Sequence, residues 1–351
     1  MFTKLFNAIL VLVSAILLVS TIIYLAPVDP ARLSFGQMSD ASSVELKRAQ
    51  LGLDKPLITQ LRWYLNDLSP ISYYSNDRLK SIKVGYLGIF KISDGQVILK
   101  YPWLRESYQS GRKVSNMLVE AIPQTAILAV ASMLLAIILG VSLGIISAYS
   151  RGSWLDQFII GLSTLGTSLP GYIPAMVISL IFGFILASIT GLEVQGSLFE
   201  LNDFGDTEIR FKNVLLPAIA LGIRPISQIT HLTRNAMLDV LNMEFMKTSI
   251  AKGSNIYRQI FKHCLPNASI PIVTTSSSWL ASLLTGSFFV ETIFNYKGLG
   301  NLTVNALLSF DVPVVLGCLI FTCVIYTCMN LIVDALIASL DPRVRFIENR
   351  I

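Results

Sequence analysis

The sequence has few charged residues. Only 14% of its 351 residues are Asp, Glu, Lys or Arg, whereas 53% are hydrophobic and the mean hydropathy is +0.63. Soluble domains carry about 25% charged residues, so this composition excludes an ordinary soluble protein and indicates a polytopic membrane protein. The net charge of +5 is modest. Its basic residues flank apolar runs instead of forming one stripe, which argues against a nucleic-acid partner.

Residues that bind metals or form disulfides are also scarce. The two histidines, His231 and His263, are too few and too widely separated for a metal site. The cysteines are Cys264, Cys318, Cys323 and Cys328. The last three are five residues apart, which is about 500° of helical rotation, so their thiols point in different directions. This spacing fits neither zinc nor a disulfide framework, and we interpret the cysteines as small lipid-facing or core-facing residues.

The groups that catalysis needs are missing as well. No Ser/Lys pair, His-rich set or Asp/Asp pair lies at matched depth in the apolar runs. No G-x-x-x-x-G-K-[ST] phosphate loop is present. We therefore expect a chain that is not an enzyme, with no catalytic residue, no metal ligand and no cofactor of its own.

Long hydrophobic runs, in contrast, are abundant. Runs of roughly 20 residues or more predict membrane-spanning helices. Their approximate bounds are 5–26, 123–148, 155–186, 214–233, 269–290 and 312–340. The expected fold is an all-α polytopic membrane protein with six transmembrane helices. The first run is longer than the 7–15 residues of a signal-peptide core and no A-x-A cleavage site follows it, so we interpret it as a retained span.

Basic residues in the short loops predict the orientation of these helices. An N-in, C-in topology assigns these residues to the cytoplasmic side: Arg151, Arg234, Lys247, Lys252, Arg258, Lys262, Arg343, Arg345 and Arg350. The outer loop at 193–212 is mainly acidic. The chain then divides into a first transmembrane helix (1–26), a small extracytoplasmic region (27–120) and a five-helix core (121–351).

The extracytoplasmic region contains two local patterns. Residues Ser42–Gly52 favour a helix, because a serine can cap its start and a glycine can end it. Residues Ile82–Tyr101 alternate between apolar and polar side chains around the turn sequence Ser93-Asp94-Gly95, which predicts a short β-hairpin.

The third and fourth apolar runs contain residues that membrane helices rarely carry. Pro170 and Pro174 break the third run and predict a kinked helix, which is either a static kink or a hinge. Arg224 lies inside the fourth run beside Pro225. A charge at the centre of a span costs about 2.5–3.5 kcal/mol on insertion scales, so Arg224 should face the bundle or a watery cavity. It either lines a pathway or is a structural arginine that snorkels or bridges helices near the carbonyl that Pro225 leaves unbonded.

Two acidic residues near the ends of apolar runs allow alternative interpretations. Glu291 is either a structural hydrogen-bonding residue or a ligand for a substrate, and we favour the structural role. Asp334 lies one helical turn from Asn330 and is either a structural cap or part of a proton relay. We favour the cap, because no second buried acid accompanies Asp334.

The polar segment Arg234–Pro271 separates the fourth and fifth runs. It is basic, and its sequence predicts two short helices that meet at Gly253, where a positive φ lets the chain reverse direction. After this glycine, apolar residues recur at helical spacing: Ile256, Tyr257, Ile260, Phe261 and Cys264. This is the pattern of an amphipathic interfacial helix. It either only anchors the loop or passes force to a soluble partner.

This segment resembles the cytoplasmic coupling loop of bacterial ABC-importer permeases, and most of all the dipeptide/oligopeptide/nickel permease family. Residues 247–253 read K-T-S-I-A-K-G, similar to the R-T-A-x-A-K-G of peptide permeases, with Lys247-Thr248-Ser249 where the general pattern has Glu-Ala-Ala. The stretch from His263 to Pro271 is similar to the family's H-x-L-x-N-x-x-x-P pattern.

The resemblance covers nearly the whole chain. Family-like motifs occur in order at 27–31 (P-V-D-P-A), 51–57 (L-G-L-D-K-P-L), 123–125 (P-Q-T), 291–300 (E-T-I-F then G-L-G), 330–334 (N-L-I-V-D) and 341–345 (D-P-R-V-R). Two departures are Val28 in place of a glycine and residues 85–114, which look like an insertion.

The resemblance implies a transmembrane permease subunit in a bacterial cytoplasmic (inner) membrane, which forms half of a pathway for peptides or a related small solute. Its implied partners are membrane lipid, a homologous second permease, two subunits that bind ATP and magnesium, and an extracytoplasmic substrate-binding protein. The coupling loop would cover about 234–268. Its implied coupling residues are Lys247, Thr248, Ser249, Ala251, Gly253, Ile256, Tyr257, Ile260, Phe261 and Leu265. The alternative is a secondary transporter or channel that works without an ATPase, although no inverted repeat is visible.

Overall fold

The structure is a computed structural model that describes residues 10–11, 13–19, 21–22, 30–33, 41–79, 85–92, 94–202 and 206–340. The first predicted span lies partly outside this set, and its described positions are helical. The arginines near the C-terminus, at 343, 345 and 350, also lie outside it. The chain divides into two compact units, Met1–Ala121 with Leu302–Cys323 and Ile122–Asn301 with Val324–Ile351.

The first unit combines short helices with one small sheet. Its elements before residue 101 are α1 (Pro30–Leu33), α2 (Ala41–Leu51), α3 (Leu57–Leu68), β1 (Ile71–Ser75), α4 (Asn76–Leu79), β2 (Tyr86–Ile92) and β3 (Gly95–Lys100). The predicted helix is present as α2, and Gly52 ends it with φ +71°. The Leu53 amide donates back to the Arg48 carbonyl at 3.0 Å. This is how a left-handed glycine satisfies the last carbonyls of a helix.

The predicted hairpin is also present, as part of an antiparallel sheet with strand order β1-β3-β2. Strand β1 pairs with β3, so that Tyr74 is opposite Gln96. The all-α prediction is therefore too narrow, because the fold is mostly helical with small sheets. The I-S-Y-Y-S sequence of β1 is typical of a strand, because its aromatic residues fit a half-buried pleated surface.

A fully buried carboxylate, Asp67, lies at the centre of this first unit. The Tyr74 hydroxyl donates to its Oδ1 at 2.6 Å, the Arg105 Nε donates to its Oδ2 at 2.7 Å, and the Arg105 Nη2 lies 2.7 Å from the same Oδ2. Burial, together with the neighbouring carboxylate, raises the pKa of Tyr74, so its hydroxyl stays a donor. The Arg78 guanidinium lies 4.0 Å above the Trp63 ring. Arg78 also lies 3.9 Å from the Asp67 carboxylate, so two guanidinium groups surround this one buried acid.

The second unit is dominated by long helices. The elements after residue 113 are α5 (Val114–Tyr149), α6 (Trp154–Ser168), α7 (Tyr172–Ile178), π1 (a π-helix, Ser179–Ile185), α8 (Ala187–Thr190), β4 (Phe199–Leu201), β5 (Thr207–Ile209), α9 (Lys212–Leu241), α10 (Glu244–Ala251), α11 (Ile256–Arg258), π2 (a π-helix, Gln259–Cys264), α12 (Leu265–Gly286), α13 (Phe288–Ile293), α14 (Leu299–Leu308) and α15 (Val312–Leu340). Helices α5, α14 and α15 each contribute residues to both units. Strands β4 and β5 form an antiparallel pair.

Helix α5 begins earlier than its apolar run predicted. The run starts at Pro123, but the helix starts at Val114 and keeps Pro123 in its interior. Its first turns bury Val114, Leu118 and Ala121. These positions recur at helical spacing while all residues between them except the half-buried Met117 are exposed, so this stretch is amphipathic and hydropathy alone misses it.

The described residues contain two helices long and apolar enough to cross a membrane, Val114–Tyr149 and Val312–Leu336. The pair Trp154–Ser168 and Tyr172–Ile185 adds a third if it is one span, and it is bent by 111°. The predicted kink is therefore a complete break. Leu169 is extended, with ψ 134°, because a residue that precedes proline avoids the helical region. The count of six spans stays a prediction, as does the choice between hinge and static kink.

Helix α9 is the central helix of the second unit, since it packs against both α6 and α12. Glycines allow it to approach its neighbours closely. A Cβ on Gly144 of α5 would lie 2.5 Å from the Thr233 Cβ, and one on Gly166 of α6 would lie 2.1 Å from the Ser227 hydroxyl. Close packing through small residues is typical of helices in membranes, where no hydrophobic effect drives the helices together.

Candidate functional site

The segment between α9 and α12 differs from its predicted bounds at its start. Arg234 belongs to α9, which continues to Leu241. Its Nε and Nη2 each donate to an Asp156 carboxylate oxygen at 2.8 Å, and this bidentate ion pair connects α9 to the first turn of α6. We call residues 242–264 the α9–α12 connection. It contains α10, α11 and π2.

The chain reverses direction at Gly253 in this connection, as predicted. Gly253 has φ +76°, and the next residue, Ser254, donates its amide to the Ser249 carbonyl at 3.2 Å. A Cβ at Gly253 would have no neighbour within 4 Å, so the glycine is required by its backbone conformation and not by lack of space. Asn255 then caps α11, since its side chain accepts from the amides of Tyr257 and Arg258.

The apolar stripe predicted after Gly253 divides into two sets. Ile256, Tyr257 and Phe261 are 50%, 70% and 62% exposed. Ile260 and Leu265 are half-buried, and the predicted stripe member Cys264 is completely buried against the sulfur of Met246. The prediction of one continuous face was wrong because residues 259–264 form a π-helix. The i→i+5 bonds of a π-helix change the angular spacing of its side chains.

The remaining residues predicted to couple lie on α10. Lys247 forms an exposed ion pair with Glu244 at 2.7 Å. Thr248 bonds the Glu244 carbonyl at 3.0 Å, Ser249 and Ser254 share a hydroxyl contact at 3.0 Å, and Ala251 is exposed. Such bonds hold α10 and the start of α11 in a fixed relative position.

A cavity of about 360 Å³ lies elsewhere in the second unit. Its lining comes from the break between α6 and α7 and from α9, α12 and α13, and it includes Pro170, Gly171, Tyr172, Arg224, Trp279, Ser282 and Phe289. Pro170 and Arg224, two of the three residues predicted as possible pathway-lining or hinge residues, line the same cavity, and their role in a pathway stays a prediction. Pro174 is buried in α7 and does not line this cavity. Arg224 is exposed and has no hydrogen bond or ion pair with any residue that the structure describes.

Comparison with protein families agrees with this arrangement. Residues 140–346 match the family described as "Binding-protein-dependent transport system inner membrane component", and residues 1–129 match its N-terminal family. The chain belongs to this permease family. It is a permease subunit of an ATP-binding-cassette importer, and the predicted resemblance is confirmed.

Two relatives show how far the similarity of this permease extends. It is 32% identical over 343 residues to the glutathione transport system permease protein of Pectobacterium atrosepticum, which covers 98% of this chain and 97% of the relative. It is 29% identical over 351 residues to the dipeptide transport system permease protein of Alkalihalophilus pseudofirmus, with 96% of each chain covered. A solved structure titled as an inward-facing conformation of the MetNI methionine ABC transporter has a TM-score of 0.52 and 16% identity. It covers 64% of the permease and 96% of that chain, and it shows the same fold.

The family-like motif E-T-I-F then G-L-G surrounds a buried carboxylate in the permease. Glu291 is 0% exposed and accepts hydrogen bonds from Ser287 at 2.6 Å, Thr125 at 2.8 Å and the Asn301 amide at 3.0 Å. A Cβ on Gly298 would lie 2.5 Å from the Glu291 carboxylate. This supports the structural interpretation of Glu291, because no space remains beside it for a substrate.

Proposed function

We propose that this permease forms half of the translocation pathway for a peptide or a related small solute in a bacterial cytoplasmic membrane. A homologous second permease completes the pathway, and a substrate-binding protein delivers the solute from outside. Two separate ATPase subunits bind ATP and magnesium and drive transport, while this chain binds neither. Six spans in an N-in, C-in arrangement bring the α9–α12 connection to the cytoplasmic side.

One observation carries this proposal: the α9–α12 connection presents exposed apolar side chains on a turn that is capped by Asn255. Ile256, Tyr257 and Phe261 are each at least half exposed. Exposed apolar area costs free energy at about 25 cal/mol per Å², so a cluster of this kind on a capped turn is typical of a docking surface. Its position in the segment that resembles the coupling loop supports an ATPase subunit as the occupant.

The relatives' names support the proposed solute. The relatives described above are named for glutathione and for dipeptides. Both are small peptides, which is why we place the solute of this permease in that chemical class.

The docking surface is tested by removing its apolar side chains. We expect the double variant Tyr257→Ser/Phe261→Ser to lose its ATPase subunits when the tagged permease is purified in mild detergent, because the apolar contact disappears. The control is Ile58→Ser, which removes an 80% exposed isoleucine from α3. Equal recovery of ATPase subunits with the double variant and the control would contradict the proposal. Transport by the purified chain in liposomes without ATP would instead favour a secondary transporter.

The reversal at Gly253 gives a second test of the same surface. Valine is strained at φ +76°, whereas asparagine tolerates the left-handed region. We expect Gly253→Val to reduce ATP-dependent uptake strongly and Gly253→Asn to reduce it only slightly. Since no atom lies within 4 Å of the added Cβ, a difference in uptake between the two variants reflects the strain in the backbone conformation and not a steric clash. Full uptake in Gly253→Val would count against a coupling role for this turn.

A further inference from the structure

The C-terminal part of α9, from Arg224 onward, has a polar face. Arg224, Gln228, His231, Asn235 and Asp239 recur at intervals of four, three, four and four residues. Such spacing places them in one strip along the helix. All are exposed except His231, which is half-buried. Between residues 213 and 223, the exposed positions of α9 are the apolar Leu215 and Ile219, so the polar strip begins at Arg224.

The two helices that pack against α9 have polar strips too. The exposed polar residues of α6 at helical spacing are Gln157, Thr164 and Ser168. Those of α12 are Thr274, Ser278, Ser282 and Thr285, of which the first and last are half-buried. Since α9 contacts both helices, three neighbouring helices each present a polar face. We call this set of strips the polar wall.

The polar wall is unsuited to contact with lipid. Several of its hydroxyls bond to their own helix backbone, as Thr164 and Thr274 do, and could tolerate an apolar surrounding. The side-chain amides of Gln157, Gln228 and Asn235, however, have no hydrogen-bond partner within the described part of the chain. Unsatisfied amides and a guanidinium are costly in hydrocarbon, so the wall faces water or a solute.

Arg224 belongs both to the polar wall and to the lining of the 360 Å³ cavity. It is the only charged residue among the described residues that line the cavity. Tyr172 and Phe289 lie beside it, with ring centroids 6.1 Å apart, and Trp279 is part of the same lining. Aromatic surroundings lower the local dielectric constant and strengthen the field of an unpaired cation. A guanidinium fork matches the two oxygens of a carboxylate.

We propose that this cavity holds a carboxylate group of the passing solute, with Arg224 as its counter-ion. This proposal rests on the proposed function, because it assumes that the permease conducts a peptide or a related small solute. A volume of about 360 Å³ is at the lower end of ligand cavities. The site therefore holds one end of a solute, such as a peptide C-terminus, and Arg224 is a specificity-determining residue.

The first test measures the electrostatic field in the cavity without requiring transport. Ser282, an exposed lining residue, is changed to Cys in the assembled importer in lipid nanodiscs. Cys323 and Cys328 are replaced by Ala, while Cys264 and Cys318 are buried and stay. The thiol at 282 reacts with an anionic sulfonatoethyl or a cationic trimethylammonium-ethyl methanethiosulfonate. We expect Arg224→Gln to lower the anion-to-cation rate ratio by about tenfold, and Arg224→Lys to preserve most of it.

Gln157→Cys on α6 is the control reporter. It is 11 residues, or about 16 Å along α6, from Ser168 at the end of that helix next to the cavity, which is beyond a Debye length at physiological salt. Arg224→Gln should leave its rate ratio unchanged. A ratio at position 282 that does not respond to Arg224→Gln would overturn the proposal, and so would equal responses at both reporters.

The second test identifies the group that Arg224 binds. Excess dialanine should slow modification of the thiol at 282, whereas dialanine amide, which lacks the carboxylate, should not. Arg224→Gln should abolish the protection. Equal protection by the two probes, or protection that survives Arg224→Gln, would overturn carboxylate binding. ATP-dependent uptake of dialanine in the same assembly tests the proposed function separately, since a failure of uptake leaves the rate ratio at position 282 readable.

Discussion

Two arginines on the same helix have opposite environments. Arg224 and Arg234 are ten residues apart on α9, which is about 15 Å along the axis and about 280° of rotation. Arg234 donates two hydrogen bonds to Asp156 at 2.8 Å, and these side chains are 22% and 5% exposed. Arg224 lines the cavity without any such partner among the described residues. Arg234 thus links two helices through an ion pair, whereas Arg224 is a cation that can bind a ligand.

The first unit shows the paired environment again. Arg105 pairs with the buried Asp67, since its Nε donates to Oδ2 at 2.7 Å and its Nη2 lies 2.7 Å from the same oxygen. Arg234 instead bonds both oxygens of Asp156. In both pairs the carboxylate is buried and belongs to the fold. The difference from Arg224 therefore concerns whether the fold supplies a carboxylate, since all three positions carry the same guanidinium. Where the fold supplies none, the carboxylate comes from the solute.

Removal of the Asp156 carboxylate, which pairs with Arg234, should have the largest effect on stability. We expect Asp156→Ala to destabilise the permease by about 3–5 kcal/mol, because Arg234 would keep its charge in a mostly buried place without a partner. Thermal unfolding of the purified complex in detergent measures this. Arg151→Gln, which removes a nearby exposed charge, is the control and should change stability by less than about 0.5 kcal/mol. Equal stability of the two variants would mean that the Arg234–Asp156 pair has no structural role.

The opposite change introduces a carboxylate side chain beside Arg224. Ser282→Asp places an acid in the same cavity, where we expect a weak pair that stabilises the complex by about 0.5–1 kcal/mol. Uptake should fall by about tenfold, because the solute would compete with a tethered carboxylate. The matched control is Ser282→Asn, which has nearly the same shape without the charge. Similar uptake by the Asp and Asn variants would show that size alone matters at this position.

The smallest change in stability is expected at Arg224 itself. Arg224→Gln should shift the free energy of unfolding by less than about 0.5 kcal/mol, because no described residue loses a partner. Thermal unfolding and ATP-dependent uptake are measured on the same preparation. A stability loss as large as that of Asp156→Ala would remove the contrast between the two arginines and make Arg224 a structural residue.

The features that the sequence predicted well are local ones. The reversal at Gly253, the end of α2 at Gly52 and the β2–β3 hairpin each depend on a few neighbouring residues with special backbone preferences. The features that were missed depend on distant contacts. Helix α9 includes Arg234, which bonds to a residue 78 positions earlier. The π-helix at 259–264 divided the apolar stripe, and its i→i+5 bonding is not visible in helical periodicity.

The candidate site shows the same limit. Hydropathy was enough to single out Arg224 as a costly charge, but it did not indicate that Pro170 lines the same cavity. The two alternatives for Arg224 depended on whether another helix supplied a partner, which only the fold reveals. The polar wall was readable in principle, since Gln228 and Asn235 follow Arg224 at helical spacing. Their contribution was hidden because the apolar residues of α9 dominate its average hydropathy.

The π-helix between α11 and α12 has a consequence for how this gene can change. A π-helix accommodates an additional residue relative to an α-helix, so a deletion of one codon within 259–264 could be absorbed by a return to α-helical bonding. The same deletion inside α12 would rotate every residue on one side of it by about 100° and separate Ser282 from the rest of the cavity lining. One-residue deletions should therefore be tolerated within π2 but should disrupt the cavity when they fall within α12.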